Sequence, residues 1–315
     1  MHTRSEFRLL FALLMVAVLG AACGGTAGQQ GEGAEEGGAV KPLVIGAEAT
    51  AESRIVVRMY ELVLEEAGRN VELSDDFGSQ DELLAALEDG RVDLAPVHLA
   101  SALASVNGEG DPATEPSQAQ EDLARALQGR GLSVLGPSSA NGVTAVVITE
   151  EMSKDLDLDG VADLDAVASD LTVAGPGTCP DDPLCLPRLR DGYGLAFGDV
   201  VTGDGSWESA ALALMEGDVD AALLPATAGV IDDKGWIVLE EDDGVLPADH
   251  ITPVIRTDAA TGQTERLLNE VSATLDQEKM RLYTGKVQFF ADGEVKLGED
   301  PTLIATAHLQ NEGLL

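Results

Sequence analysis

Basic residues are scarce in this chain: 19 lysines and arginines stand against 56 aspartates and glutamates, a formal net charge of −37 over 315 residues. A surface of that sign repels polyphosphate, so nucleic acid is excluded as a partner. Histidine and cysteine are nearly absent, at four and three residues. No HExxH, P-loop or dinucleotide fingerprint occurs, so nothing in the motifs points to an enzyme. No cofactor, no metal and no enzymatic activity are expected. Aromatic rings are rare at 3%. No apolar run is long enough to cross a bilayer as a helix. The acidic excess itself speaks to solubility and repulsion rather than to fold. It suits a protein exposed to salty surroundings, with recruitment of cations by the whole surface as the alternative.

What is present begins with an export signal. MHTRSEFR, basic at Arg4 and Arg8, leads into LLFALLMVAVL and then GAAC at Gly20–Cys23. A basic start, a short apolar run and small residues before a cut site mark a secretory signal. The cysteine behind those small residues resembles the lipobox of bacterial lipoproteins, with Gly20 in place of the usual leucine and Leu19 one position earlier. That resemblance implies a signal peptide over 1–23, lipidation of Cys23 and anchorage in the outer leaflet of the membrane. Residues 24–40, rich in glycine and glutamate, have almost nothing to bury and read as a flexible tether.

Export also places the chain where disulfides persist. With Cys23 assigned to lipid, Cys179 and Cys185 remain, close together in GPGTCPDDPLCLP. A disulfide between them is the preferred reading. A metal or redox pair is the competitor, against which stand a spacing unlike CxxC and the lack of a neighbouring Cys or His.

The folded body starts near Lys41. PLVIGAEA is a buried-strand pattern; TAESRIVVRMYELVLEEAG then carries Ile55, Met59, Leu62 and Val63 at helical spacing, with Gly68 as a stop. A strand (NVELS), a helix (DELLAALEDG) and a strand (VDLAPV) follow, the alternation of parallel βαβ units in an α/β protein. ALEDGRVDLA at 86–95 returns as ALMEGDVDAA at 213–222, which predicts two lobes on one plan. Crossings between them are expected in Leu132–Glu150 (GVTAVVITE) and His250–Asp258 (HITPVIRTD), with helices after Gly262 returning to the first lobe. The expected division is 41–142 with 251–315 as lobe 1, and 143–250 as lobe 2.

VIGAEATAES, FGSQDELLAALEDGRVDLAPV, AGPGTCPDDPLCLPRLRDGYGLAFGDV, GDVDAALLPATAGVI and DHITPVIRTDA together resemble the solute-binding proteins of osmoprotectant (glycine betaine, carnitine, choline, proline) ABC importers, from Lys41 to the C-terminus. The resemblance implies a two-lobed periplasmic-binding-protein fold of type II with two hinge crossings. It also implies a bridged loop clipping the second lobe, a small zwitterionic or quaternary-amine solute, and a partner permease that senses lobe closure. A surface interaction or sensory protein that keeps the fold without transport is the alternative.

In such proteins quaternary ammonium groups are commonly held by aromatic rings, and here those rings are missing. Pro96-Val97-His98-Leu99-Ala100 stands where the family often has Pro-Glu-Tyr-Thr-Gly. Pro225 and Ala228 replace an aromatic and an aspartate, and Ala49, Thr50 and Ala51 replace asparagine, phenylalanine and threonine. The candidate ligand-binding residues are therefore Thr50, Phe77, Gly78, Ser79, His98, Asn141, Asp204, Trp207 and Thr227. Among them Trp207 would form a wall, the amides after Phe77-Gly78-Ser79 would take a carboxylate, and His98 would stand in for a tyrosine; capping and packing are their plain readings. His250 reads as hinge packing. DLDLDG at 155–160 with Asp163 has the first half of a calcium loop, but Ala166 stands where the closing glutamate belongs, so a solvated acidic turn is expected. GPSSA at 136–140 lacks the strand–turn–helix context of a nucleophile elbow.

Overall fold

The computed structural model describes residues 41–107, 112–203, 205–241 and 244–315, without the side chains of 75 and 76. The expected signal, Cys23, the tether and Asp204 lie outside the described residues. No helix among the described residues is long and apolar enough to cross a membrane.

The chain runs β1 (Leu43–Glu48), α1 (Ala51–Glu66), β2 (Val71–Phe77), α2 (Gln80–Glu88), β3 (Leu94–His98), α3 (Leu99–Asn107), α4 (Pro116–Ala126) and β4 (Leu132–Val134). It continues with β5 (Thr144–Ile148), α5 (Glu150–Leu156), 3-10 turns at Val161–Ala166 and Ala168–Asp170, β6 (Thr172–Ala174), α6 (Leu186–Tyr193), β7 (Asp199–Val201), α7 (Trp207–Glu216), β8 (Ala221–Pro225), α8 (Val230–Lys234) and β9 (Ile237–Val238). Last come β10 (Ile251–Arg256), α9 (Gly262–Thr274), α10 (Gln277–Val287), β11 (Gln288–Ala291), β12 (Glu294–Leu297) and α11 (Pro301–Glu312).

Two five-stranded sheets result, ordered β2-β1-β3-β10-β4 and β7-β6-β8-β5-β9. In each, three parallel strands are followed by one antiparallel strand that arrived from the other sheet. The sequence echo is the signature of this shared plan. Gly90 and Gly217 end α2 and α7 at positive φ, +71° and +76°, where a side chain would be strained. Asp93 and Asp220 then do the same work in both lobes. The Asp93 carboxylate accepts from the Val44 amide at 3.0 Å, and that of Asp220 from the Thr172 amide at 2.8 Å. Each locks the start of the neighbouring strand.

Helices cover both faces of the first sheet. Ile55, Met59, Tyr60 and Val63 of α1 pack with α9, α10 and α11 on one side, and Leu83, Leu87 and Leu123 fill the other. The second sheet is buried likewise, by Leu164, Leu189 and the cysteines on one face and by Ala211, Leu214 and Ile231 on the other. The stretch after β10 does more than the expected helical return. Phe290 of β11 is buried in the core of the second sheet, and α10 packs against α8. Gly229 makes that contact feasible: a Cβ there would collide with the backbone of Gly285 and Arg281. Arg281 Nε donates to the Ala226 carbonyl at 2.7 Å, and the Thr284 hydroxyl to that of Thr227 at 2.7 Å.

Cys179 and Cys185 form the disulfide, both buried in the second core, with Cys185 at the start of α6. Closing so short a loop contributes about 2 kcal/mol in the chain-entropy model. The double substitution Cys179→Ser, Cys185→Ser is expected to lower the urea-unfolding free energy by about that amount.

Candidate functional site

The crossings between the sheets lie side by side and are bound to each other. Asn141 and His250 form an isolated β-bridge. The Asn141 Oδ1 accepts from the amides of Val143 and Asp249, both at 3.1 Å, and the Gly142 amide donates to the Asp249 carbonyl at 2.9 Å. His250 Nδ1 meets the Ser138 carbonyl at 2.9 Å, and burial holds its pKa below the ordinary value. His250 is thus hinge packing, as read from the sequence. Asn141 belongs to the same hinge and does not line the cavity.

Beside this hinge, at the carboxyl ends of the central strands of both sheets, is a cavity of about 200 Å³. Strand ends in open α/β sheets are where ligands gather, because adjoining loops diverge there. Two prolines help to open it. Pro96 of β3 has no N–H to continue a ladder, and β1 pairs with β3 only at Ile45–Leu94. Pro225 ends β8 and lies in the wall. The side of the first sheet supplies Glu48, Thr50, Glu52, His98 and Ser101 among others; that of the second supplies Thr144, Trp207, Thr227 and Val230; Gly142, Asp249, Thr284 and Gln288 join the lining from the hinge and α10–β11.

The dominant contact is an ion pair between His98 Nε2 and Glu52 Oε1 at 2.7 Å, with both side chains largely removed from water. Burial disfavours the imidazolium, but Glu52, seconded by Asp249 and Glu48, outweighs it and raises the His98 pKa to about 10. Burial likewise opposes ionisation of Glu52, and His98 reverses this, leaving the Glu52 pKa below its ordinary value. The His98 backbone amide is tied to Gln80 Oε1 at 2.8 Å. The imidazole abuts the outward crossing, where only glycine fits: a Cβ on Gly142 would collide with Nε2 and Cδ2 of the ring. Glu48 has no such partner. Its carboxylate accepts no hydrogen bond among the described residues, and burial, then the neighbouring Glu52 and Asp249, push its pKa up against the pull of His98. Asp249 accepts from the Ser101 amide at 2.9 Å and hydroxyl at 2.6 Å.

Of the residues singled out from sequence, Thr50, His98, Trp207 and Thr227 meet at the cavity. Thr50 also caps α1 by accepting from the Ser53 amide, and Trp207 is backed by Phe290 with ring centroids 5.9 Å apart. Phe77, Gly78 and Ser79 lie off the cavity. Phe77 packs beneath Arg91, the Gly78 amide donates to Glu82 Oε2 and Ser79 accepts from the Glu82 amide. Ser79 thus caps α2, the plain reading of that turn, and Glu82 closes the amide just before the cap. Sequence reasoning passed over Glu48, Glu52 and Asp249; the only signal was their nearness to strand ends. Asp163 accepts from the amides of Asp159 and Gly160, which closes the acidic turn. The hydroxyls of Ser138 and Ser139 donate to carbonyls.

Because the His98 pKa is raised on folding, its contribution is complete below about pH 6.5 and is lost as pH rises through about 10. Stability of the ligand-free protein should therefore fall over that window, and the imidazole nitrogens should report a cation by NMR at pH 8.5. His98→Gln is expected to remove this part of the pH dependence and to cost about 3–5 kcal/mol at pH 6, since it strands the buried Glu52 charge. Urea titrations at pH 6, 8 and 10 check it.

A model of the substrate binding domain of ABC-type glycine betaine transport systems matches residues 41–294. The glycine betaine-binding protein YehZ of Escherichia coli (strain K12) is 22% identical over 287 residues, covering 87% of this chain and 92% of that protein. A glycine-betaine-binding protein of Pseudomonas aeruginosa is 24% identical over 284 residues, covering 86% and 89%. Among solved structures, a glycine betaine/carnitine/choline ABC transporter protein superposes with a TM-score of 0.74 at 20% identity, over 86% of this chain and 99% of the other. The chain has the two-lobed α/β fold of type II periplasmic binding proteins, and it belongs to the family of substrate-binding domains of ABC-type glycine betaine transport systems.

Proposed function

We propose that this protein is the lipid-anchored, extracytoplasmic receptor of an ABC importer, capturing one small nitrogenous solute of osmolyte size, cationic or zwitterionic, between its lobes. The observation that carries the reading is a cavity walled by both sheets and floored by their crossings. A solute there touches Glu48 and Glu52 on one side and Trp207 and Thr227 on the other, so it favours the conformation in which the two sides meet. A membrane permease then reads closure as occupancy. The lobes are assigned as 41–142 with 251–315, and 143–250, the second also receiving Phe290. Lipid on Cys23 keeps the receptor at the outer face of the membrane, and 24–40 gives it reach.

Thermal unfolding of the purified protein against betaine, choline, carnitine, proline, ectoine and polyamines tests the receptor. The true solute at a hundredfold excess over its dissociation constant adds about 2.7 kcal/mol. A midpoint that no compound moves, in folded protein stripped of carried-over cargo, would leave the surface-interaction role instead. For the anchor, Cys23→Ala is expected to shift the protein from the membrane fraction to the soluble one; retention in the membrane would rule out lipidation at that residue.

A further inference from the structure

The cavity is anionic and short of rings. Glu48, Glu52 and Asp249 bring three carboxylates to its wall from β1, α1 and the return crossing, and among the described residues that line it the His98 imidazolium is the single compensating charge. Neither lysine nor arginine is among the described residues that line it, and Trp207 is the one benzenoid side chain there. Two carboxylate features remain unfilled. The Glu48 carboxylate faces the cavity without a hydrogen-bond donor. Glu52 Oε2 is sealed from solvent and meets no donor within hydrogen-bonding geometry, although the nearby Thr227 hydroxyl favours its charged form.

These features discriminate among nitrogen cations. A permethylated ammonium carries no N–H, so it is held by aromatic faces, of which this wall has one. A zwitterion would bring its carboxylate among three others, with no ammonium or guanidinium to receive it, and the nearest imidazole is already paired with Glu52. An ammonium or guanidinium with its protons fits this wall: its charge offsets the carboxylates, and its N–H groups supply charge-assisted hydrogen bonds to the Glu48 carboxylate, which lacks a donor.

Resting on the receptor function above, we propose that the cavity is selective for a proton-bearing organic cation, a primary ammonium or a guanidinium without a carboxylate, over permethylated ammoniums and zwitterions. Glu48 is the residue that receives the N–H donors, Asp249 adds to the field, and Trp207 packs the aliphatic part of the solute.

Ethanolamine and choline test this directly, since they share a skeleton and differ by the three methyl groups on nitrogen. Full-length protein, unfolded and refolded to free it of cargo, is titrated calorimetrically with ethanolamine, agmatine, choline and glycine betaine. Ethanolamine or agmatine is expected to bind at least tenfold more tightly than choline or betaine. Glu48→Gln should weaken the preferred amine at least tenfold without lowering the unfolding midpoint of the empty protein, and Trp207→Leu should weaken it by less. Choline or betaine binding as tightly as the amines, or an amine indifferent to Glu48→Gln, would overturn the proposal and leave the receptor function standing. No saturable binding by any of the four, together with no thermal shift across the wider panel, would remove both.

Discussion

The buried pair of Glu52 and His98 is the constraint around which this molecule is arranged. It joins the first turn of α1 to the end of β3, and the imidazole rests on Gly142 of the outward crossing. A charged pair taken out of water is not a generous source of stability, because desolvation offsets most of the attraction. Its consequence here is positional. While they are paired, each holds the other charged against the pull of burial; with either partner missing, burial would act alone on the one left beside the hinge.

The hinge is built to match. Asn141 bridges both crossings with one side-chain oxygen, and Asp249 anchors the return crossing to the start of α3 through Ser101. A further connection runs through α10, whose Arg281 and Thr284 hold the loop after β8, and through β11, whose Phe290 enters the second core behind Trp207. The C-terminal stretch thereby sets one wall of the cavity as well as covering the first sheet. Movement of one sheet against the other would carry or break these contacts.

Charge inside the cavity and charge on the surface have different meanings. Most of the acidic excess lies on exposed helix faces and turns, where water screens it and single pairs contribute little. Glu48, Glu52 and Asp249 lie where screening is weak, and burial first, then their mutual repulsion, raises the pKa of Glu48. The few aromatic residues are distributed consistently with this. Tyr60 is fully buried in the first core, Phe290 is nearly so in the second, and Trp207 is left to face the cavity.

Much of the fold was legible in local pattern. Helical spacing in α1, the glycine stops, the strand alternation and the echo of 86–95 in 213–222 each follow from backbone periodicity and turn chemistry, which act over a few residues. The two-sheet plan, the crossings and the Cys179–Cys185 bridge followed from these and from the family resemblance. The site was legible only in part. His98, Trp207, Thr50 and Thr227 stand out by residue type or by place in a motif, whereas Glu48, Glu52 and Asp249 are three among 56 acidic residues with no local mark. Phe77, Gly78 and Ser79 look the same in sequence whether their amides await a ligand or are closed by Glu82. Sequence alone determined which segments become strands and helices, because those preferences are local. Tertiary structure decided which carboxylates lose water and find no partner, because that depends on β1, α1 and the crossing at 249 being brought together by the sheets.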